Sequence, residues 1–128
     1  GQMNIYRDNM MDHYKNPRNF GRVHNPSVTA PAHNPFCGDE LEIDLFITDN
    51  TVSNFKFRGD MCAVAMSAAS MLSEDIIGLT IEQVKEITKE KILTYFGNDL
   101  TTSRVKCATL VLDALTEAIS SYEKTKTN

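Results

Sequence analysis

Leu41, Ile43, Leu45 and Ile47 alternate with Glu42, Asp44 and Thr48. A period of two restricts this run to a strand with one face buried and one face toward water. Only Phe46 interrupts the polar face. Asp49-Asn50 reads as a two-residue hairpin turn, after which Phe55 and Phe57 alternate with Asn54, Lys56 and Arg58. The segment is therefore an antiparallel pair with one side on a core. At Cys62 the period changes. "CAVAMSAASMLSEDIIG" places Ala65, Ala69, Leu72 and Ile76 on one helical stripe and stops at Gly78, with Asp60 as the expected cap and Met66 and Met71 as core packing.

The flanking segments agree with an α+β arrangement of helices packed on a small antiparallel sheet. Ile5 to Lys15 carries Met10, Met11 and Tyr14 at helical spacing, and Asn16-Pro17 ends it, because a residue before proline avoids the α region. The next stretch, Asn16 to Asp39, holds all four prolines and reads as an ordered or semi-mobile loop with a short strand near Val28. Short helices are expected from Ile81 to about Thr88 and from Lys89 to Phe96, closed by Gly97. A last helix starts near Thr101–Ser103 and runs through Leu112, Leu115, Ile119 and Tyr122. Residues 124–128 are expected to fray, and 1–2 to be an expression scar. At 128 residues, the range 1–128 is expected to form one domain.

Composition removes some functions. Acidic residues outnumber basic ones 17 to 13, and no run of basic residues is longer than two, which counts against nucleic acid as a partner. No apolar run approaches the roughly 20 residues needed to span a bilayer, so no membrane partner is expected. No signal peptide is visible. Three cysteines are an odd number for a disulfide framework, so reduced thiols in a cytoplasmic setting are expected.

Those thiols are placed where chemistry is easy. Cys37 ends a loop just before a strand, Cys62 lies in the first turn of a helix, and Cys107 is expected near the start of another. Helix starts favour thiolates. Asp39 adds a hard oxygen donor two residues after Cys37, and Gly38 lets the backbone turn so that both face one point. Three thiolates and a carboxylate are a four-donor set of the kind that holds zinc or an iron–sulfur cluster. Spacing alone is a weak signal, since no CxxC is present and gaps of 25 and 45 residues separate the cysteines. His13, His24 and His33 are weaker candidates; His33, four residues before Cys37, is the one to watch.

"DHYKNPRNFG" (Asp12 to Gly21), "NPFCGDELEI" (Asn34 to Ile43), "CAVAMSAASML" (Cys62 to Leu72) and "RVKCATLVLDAL" (Arg104 to Leu115) together resemble the U-type iron–sulfur cluster assembly family. That family comprises IscU, the N-terminal domain of NifU, and SufU. The resemblance implies a three-stranded antiparallel sheet with helices packed on one face. It also implies a site of Cys37, Asp39, Cys62 and Cys107 at an exposed tip, holding zinc at rest and a transient [2Fe–2S] cluster in action. The implied partners are a pyridoxal-phosphate cysteine desulfurase as sulfur source, apo iron–sulfur proteins as acceptors, and a donor of iron or electrons.

The chain departs from the family at specific positions. Lys106 stands where IscU has histidine, and Leu100-Thr101-Thr102-Ser103-Arg104 stands where IscU has its Leu-Pro-Pro-Val-Lys chaperone motif, which counts against the specialised Hsp70. "RVKCATL" is closer to SufU, yet the insertion of roughly twenty residues that SufU carries before it is missing. Met61 replaces a common glycine. Two functions therefore stand side by side. One is a scaffold that assembles and hands on a cluster. The other is a zinc-dependent sulfurtransferase in which Cys37 or Cys107 accepts persulfide sulfur. A merely structural zinc domain and a Cys/His hydrolase have less support. Lys106 is expected either as a solvated lysine or as a positive charge lowering the pKa of Cys107, and the Pro35-Phe36 loop as a docking surface for the desulfurase.

Overall fold

The computed structural model describes residues 2–126. The elements are α1 (Gln2–Lys15), β1 (Val28–His33), β2 (Glu40–Thr48), β3 (Thr51–Asp60), α2 (Ala63–Ile76), α3 (Ile81–Lys85), α4 (Lys89–Thr94), α5 (Thr102–Ala108) and α6 (Leu110–Lys126). The three strands form one antiparallel sheet in the order β1-β2-β3. Helix α6 packs on β1 and β2, α2 packs on β3, and α1 packs on α2.

Asp49 and Asn50 make the tight turn between β2 and β3 with φ of +50° and +63°. Two successive left-handed residues are what a hairpin of this length requires, and Asn and Asp tolerate that conformation. Register shifts between Phe46 and Ile47, with Ser53 as the extra residue on β3. This bulge explains a break in parity: Val52 faces the core with Phe55 and Phe57, although they differ by an odd number of positions. On β2 the alternation is unbroken, and Leu41, Ile43, Leu45 and Ile47 are all buried. The α2 stripe of Ala65, Ala69, Leu72 and Ile76 is buried as its spacing predicts, with Met71 buried and Met66 packed at the core's edge. Met61 also joins the core.

The loop after α1 is pinned rather than loose. Ser70 Oγ accepts from the Arg18 N–H at 2.8 Å and meets His13 Nδ1 at 2.7 Å, and Asn19 Nδ2 donates to Ser73 Oγ at 2.9 Å. Further along, the Gly21 N–H donates to the Phe57 carbonyl, and Phe57 N–H to the Asn19 carbonyl, which covers part of the free edge of β3. The loop then crosses the outer face of the sheet. There it buries Asp44, which the alternating pattern assigns to water; Asp44 is 2% exposed. Its carboxylate accepts from Thr29 Oγ1 at 2.6 Å, Val23 N–H at 2.9 Å and Arg58 at 3.0 and 3.2 Å. Burial works to raise the Asp44 pKa, but these donors and the Arg58 charge outweigh it and hold the carboxyl below the ordinary 3.8.

Three expectations are corrected. Asp60 does not cap α2; Cys62 is the N-cap, with its sulfur accepting from the Ala65 N–H. The last helix is two helices, divided at Thr109, whose backbone (φ −91°, ψ 1°) leaves the α region. Cys107 therefore lies near the end of α5, not near a helix start. Residues 124–126 are the last turn of α6, while 127 and 128 lie outside the described residues. Gln2 opens α1, and Gly1 lies outside the described residues.

Gly59 pairs with Leu41 at φ +143°, and a Cβ there would lie 2.2 Å from the Glu40 carbonyl oxygen. Gly59→Ala is expected to cost at least ~1–3 kcal/mol, read as a lower midpoint in urea unfolding. The Asp44 pKa is depressed in the folded chain, so its contribution is present at neutral pH. It declines once pH falls below 3.8 and the unfolded chain takes up the proton first. Asp44→Asn is expected to remove about 3 kcal/mol at pH 7 and to flatten the acid limb of the stability profile below that value.

Candidate metal centre

The hairpin determines where the site forms. Glu40 opens β2 and pairs with Asp60, which closes β3, so Asp39 and Cys62 emerge side by side at one end of the sheet. The loop before β2 is closed on itself. Asn34, buried at its base, donates its N–H to the Asp39 carbonyl at 2.8 Å, and its own carbonyl accepts from the Gly38 N–H at 2.9 Å. Its side-chain oxygen accepts from the Phe36 N–H at 3.0 Å. Gly38 takes φ +75°, the left-handed turn that aims Cys37 and Asp39 to the same side. Asn34 is a positioning residue that the ligand-type pattern does not reveal; the signal was its place before Pro35, a turn-initiating pair.

Asp39 joins the loop to α2. Its Oδ1 accepts from the Cys62 N–H at 2.9 Å, and its Oδ2 lies 3.2 Å from both Cys37 Sγ and Cys62 Sγ. Cys107 arrives from α5, with its sulfur 3.3 Å from Cys37 Sγ. The donor atoms of Cys37, Asp39 and Cys107 all lie within 4.8 Å of one another, close enough to hold one metal ion. Cys62 lies outside that group of three and joins it through Asp39 Oδ2, so all four residues singled out from the sequence meet at this tip. None of the three histidines joins this grouping among the described residues. His13 is buried against Ser70, and burial lowers its pKa from the ordinary 6.5 despite Glu74 nearby; His24 and His33 are exposed.

The three thiols are not equivalent. Cys37 is exposed, Cys62 half-buried and Cys107 buried. Cys62 is the N-cap of a 14-residue helix, with its sulfur accepting from the Ala65 N–H. Cys107 lies near the end of α5. Burial pushes its thiol well above the ordinary 9.0, and hydrogen bonding with Cys37 and the charge of Cys62 push the same way. Asp39 stays ionised below its ordinary value. Burial works against that, but the Cys62 N–H and the thiol donors outweigh it. The Lys106 charge is turned to a neighbouring ring, with Nζ 4.8 Å from the Phe36 ring centre. A carboxylate and three sulfurs at this spacing repel one another once ionised, and a cation bound among them relieves the repulsion. Sulfur-rich donors of this kind suit zinc and iron–sulfur chemistry.

The same arrangement of elements occurs in solved structures. A NifU-like N-terminal protein from Brucella abortus shares the fold with a TM-score of 0.78 at 19% identity, over 94% of this chain and 95% of that one. In sequence, the iron–sulfur cluster assembly scaffold protein IscU 1 of Archaeoglobus fulgidus is 35% identical over 118 residues, which is 92% of this chain and 76% of the relative. The zinc-dependent sulfurtransferase SufU of Bacillus subtilis is 33% identical over 136 residues, spanning 93% of this chain and 92% of the relative. With the family model for the NifU-like N terminal domain matching residues 5–128, the chain belongs to that family.

Proposed function

We propose that this chain is an iron–sulfur cluster assembly scaffold. It accepts sulfur from a pyridoxal-phosphate cysteine desulfurase, binds iron, assembles a [2Fe–2S] cluster and transfers it to apo-proteins, in the cytoplasm. The observation that carries this reading is the meeting of Cys37, Asp39, Cys62 and Cys107 at one sheet tip with Cys37 open to solvent. Those four side chains are the proposed ligands. Sulfur arrives when a thiolate of this chain attacks the outer sulfur of the desulfurase persulfide. One S–S bond forms, the desulfurase S–S bond breaks, and the desulfurase thiolate leaves. Cys37 and Cys107 are the candidate acceptors, and exposure favours Cys37 for first contact. Each sulfane sulfur needs two electrons to become sulfide, so an electron donor belongs among the partners beside an iron donor. The same four donors fit zinc in the resting protein, where the ion would hold the thiols deprotonated.

A second reading is favoured by "RVKCATL" (Arg104 to Leu110) and by the SufU relative. In it zinc remains bound and one thiol relays sulfur as a sulfurtransferase. Anaerobic incubation with ferrous iron, cysteine and a cysteine desulfurase separates the two. The scaffold predicts a visible absorbing cluster that moves to an apo-ferredoxin. The transferase predicts retained zinc, no cluster, and faster desulfurase turnover.

Asp39 has two tasks that one substitution pulls apart. As a ligand it is harder than a thiolate and exchanges more readily. As a hydrogen-bond acceptor it satisfies the Cys62 N–H. Asp39→Ala is expected to lengthen the lifetime of the reconstituted cluster severalfold, measured by the decay of its visible absorption. The metal-free protein is expected to lose about 1–3 kcal/mol of stability, because the helix-start N–H loses its partner.

A further inference from the structure

Phe36 is 84% exposed, the most exposed large apolar side chain among the described residues, yet its ring is not without a partner. Lys106 Nζ lies 4.8 Å from the ring centre, within the range of a cation–π contact. No carboxylate pairs with Lys106 among the described residues. The two residues have a particular place in the chain. Phe36 directly precedes Cys37, and Lys106 directly precedes Cys107. Their contact therefore runs beside the 3.3 Å approach of the two sulfurs and ties the same loop to the same helix. A cavity of about 220 Å³, lined in part by His33, Phe36, Lys89, Lys106 and Asp113, lies against this contact.

We infer that Phe36 and Lys106 form a clasp that holds the Cys37 loop down on α5 and sets access to Cys107. Three features make the loop a movable cover. Gly38 forms its turn at φ +75° with no atom within 4 Å of where a Cβ would stand, so the turn has room to move. Cys37 is already outside while Cys107 is 7% exposed beneath it. Across this seam the donors themselves meet, Cys107 with Cys37 and Asp39, and beside them the ring meets its ammonium group. Both side chains are positioning residues, acting through the loop rather than on a reacting atom. Closed, the clasp presents Cys37 and withholds Cys107; open, it admits sulfur or metal to both. That last consequence rests on the proposed function, whereas the clasp itself does not.

The clasp is tested on the reduced chain after treatment with a chelator, with no iron, sulfide or desulfurase present, so a failure here leaves the scaffold reading standing. Iodoacetamide alkylation is followed at each cysteine by peptide mass, with Cys62 as the internal reference for folding and reagent. Phe36→Leu, which keeps apolar bulk without an aromatic face, and Lys106→Gln are each expected to raise the Cys107 rate relative to Cys62 by about two- to fivefold, the scale of an exposed cation–π contact. Phe36→Trp and Lys106→Arg, which restore ring and charge, are expected to match the parent. Equal Cys107 rates in all five proteins would overturn the clasp. So would a slower Cys107 in Lys106→Gln alone, which marks a charge acting on the thiol rather than a cover over it.

Discussion

The bond from the Cys62 N–H to Asp39 Oδ1 is the interaction on which the site depends. The antiparallel register makes it available, because pairing Glu40 with Asp60 delivers residues 39 and 62 to one end of the sheet. One carboxylate oxygen then satisfies a helix-start donor that would otherwise be orphaned, while the other touches two thiols. Gly59 serves the same junction from the strand side, since its missing Cβ lets the backbone of β3 approach Glu40 and Leu41. Chemistry and folding thus share atoms at this tip.

The parts of this arrangement that were legible in the sequence were those with a strict period or a particular turn residue. Leu41 to Ile47 read as a strand because nothing interrupts its inner face, and Asp49-Asn50 read as the turn because both residues accept a left-handed backbone. The four site residues were legible as donor types, and the family resemblance supplied their meeting. What could not be read has physical causes. Asp44 looks solvent-facing until a loop from 21 residues upstream folds over it and brings the Val23 N–H. The division at Thr109 leaves no break in helical periodicity, since residues on either side keep their spacing, and so Cys107 was assigned to the wrong end of a helix. Asn34 acts through backbone closure of a loop, which no pattern of ligand types records.

The misplaced Cys107 changes the electrostatic account of the site. Two helix starts would have favoured two thiolates. Instead only Cys62 caps a helix start, while Cys107 sits near a helix end in a buried place where ionisation is opposed. Asp39 is held ionised by its neighbours, while the Cys107 thiol beneath resists ionisation. Under the proposed function this asymmetry has a use. A site that held three free thiolates would be open to any oxidant, whereas one that ionises fully only when a cation arrives keeps its inner sulfur in reserve.

The departures from the family pattern also make sense by position. Met61 packs into the core, and Gly38 and Gly59 set the backbone beside the donor cluster. Lys106 is not free beside Cys107, because Phe36 draws its ammonium group onto the ring, and an apolar side chain standing in water gains a reason to be there. Lys106 is answered by Phe36, a neighbour in space that comes from a distant part of the chain. The donors are held by backbone closure and sheet register, and the proposed cover over them by two exposed side chains.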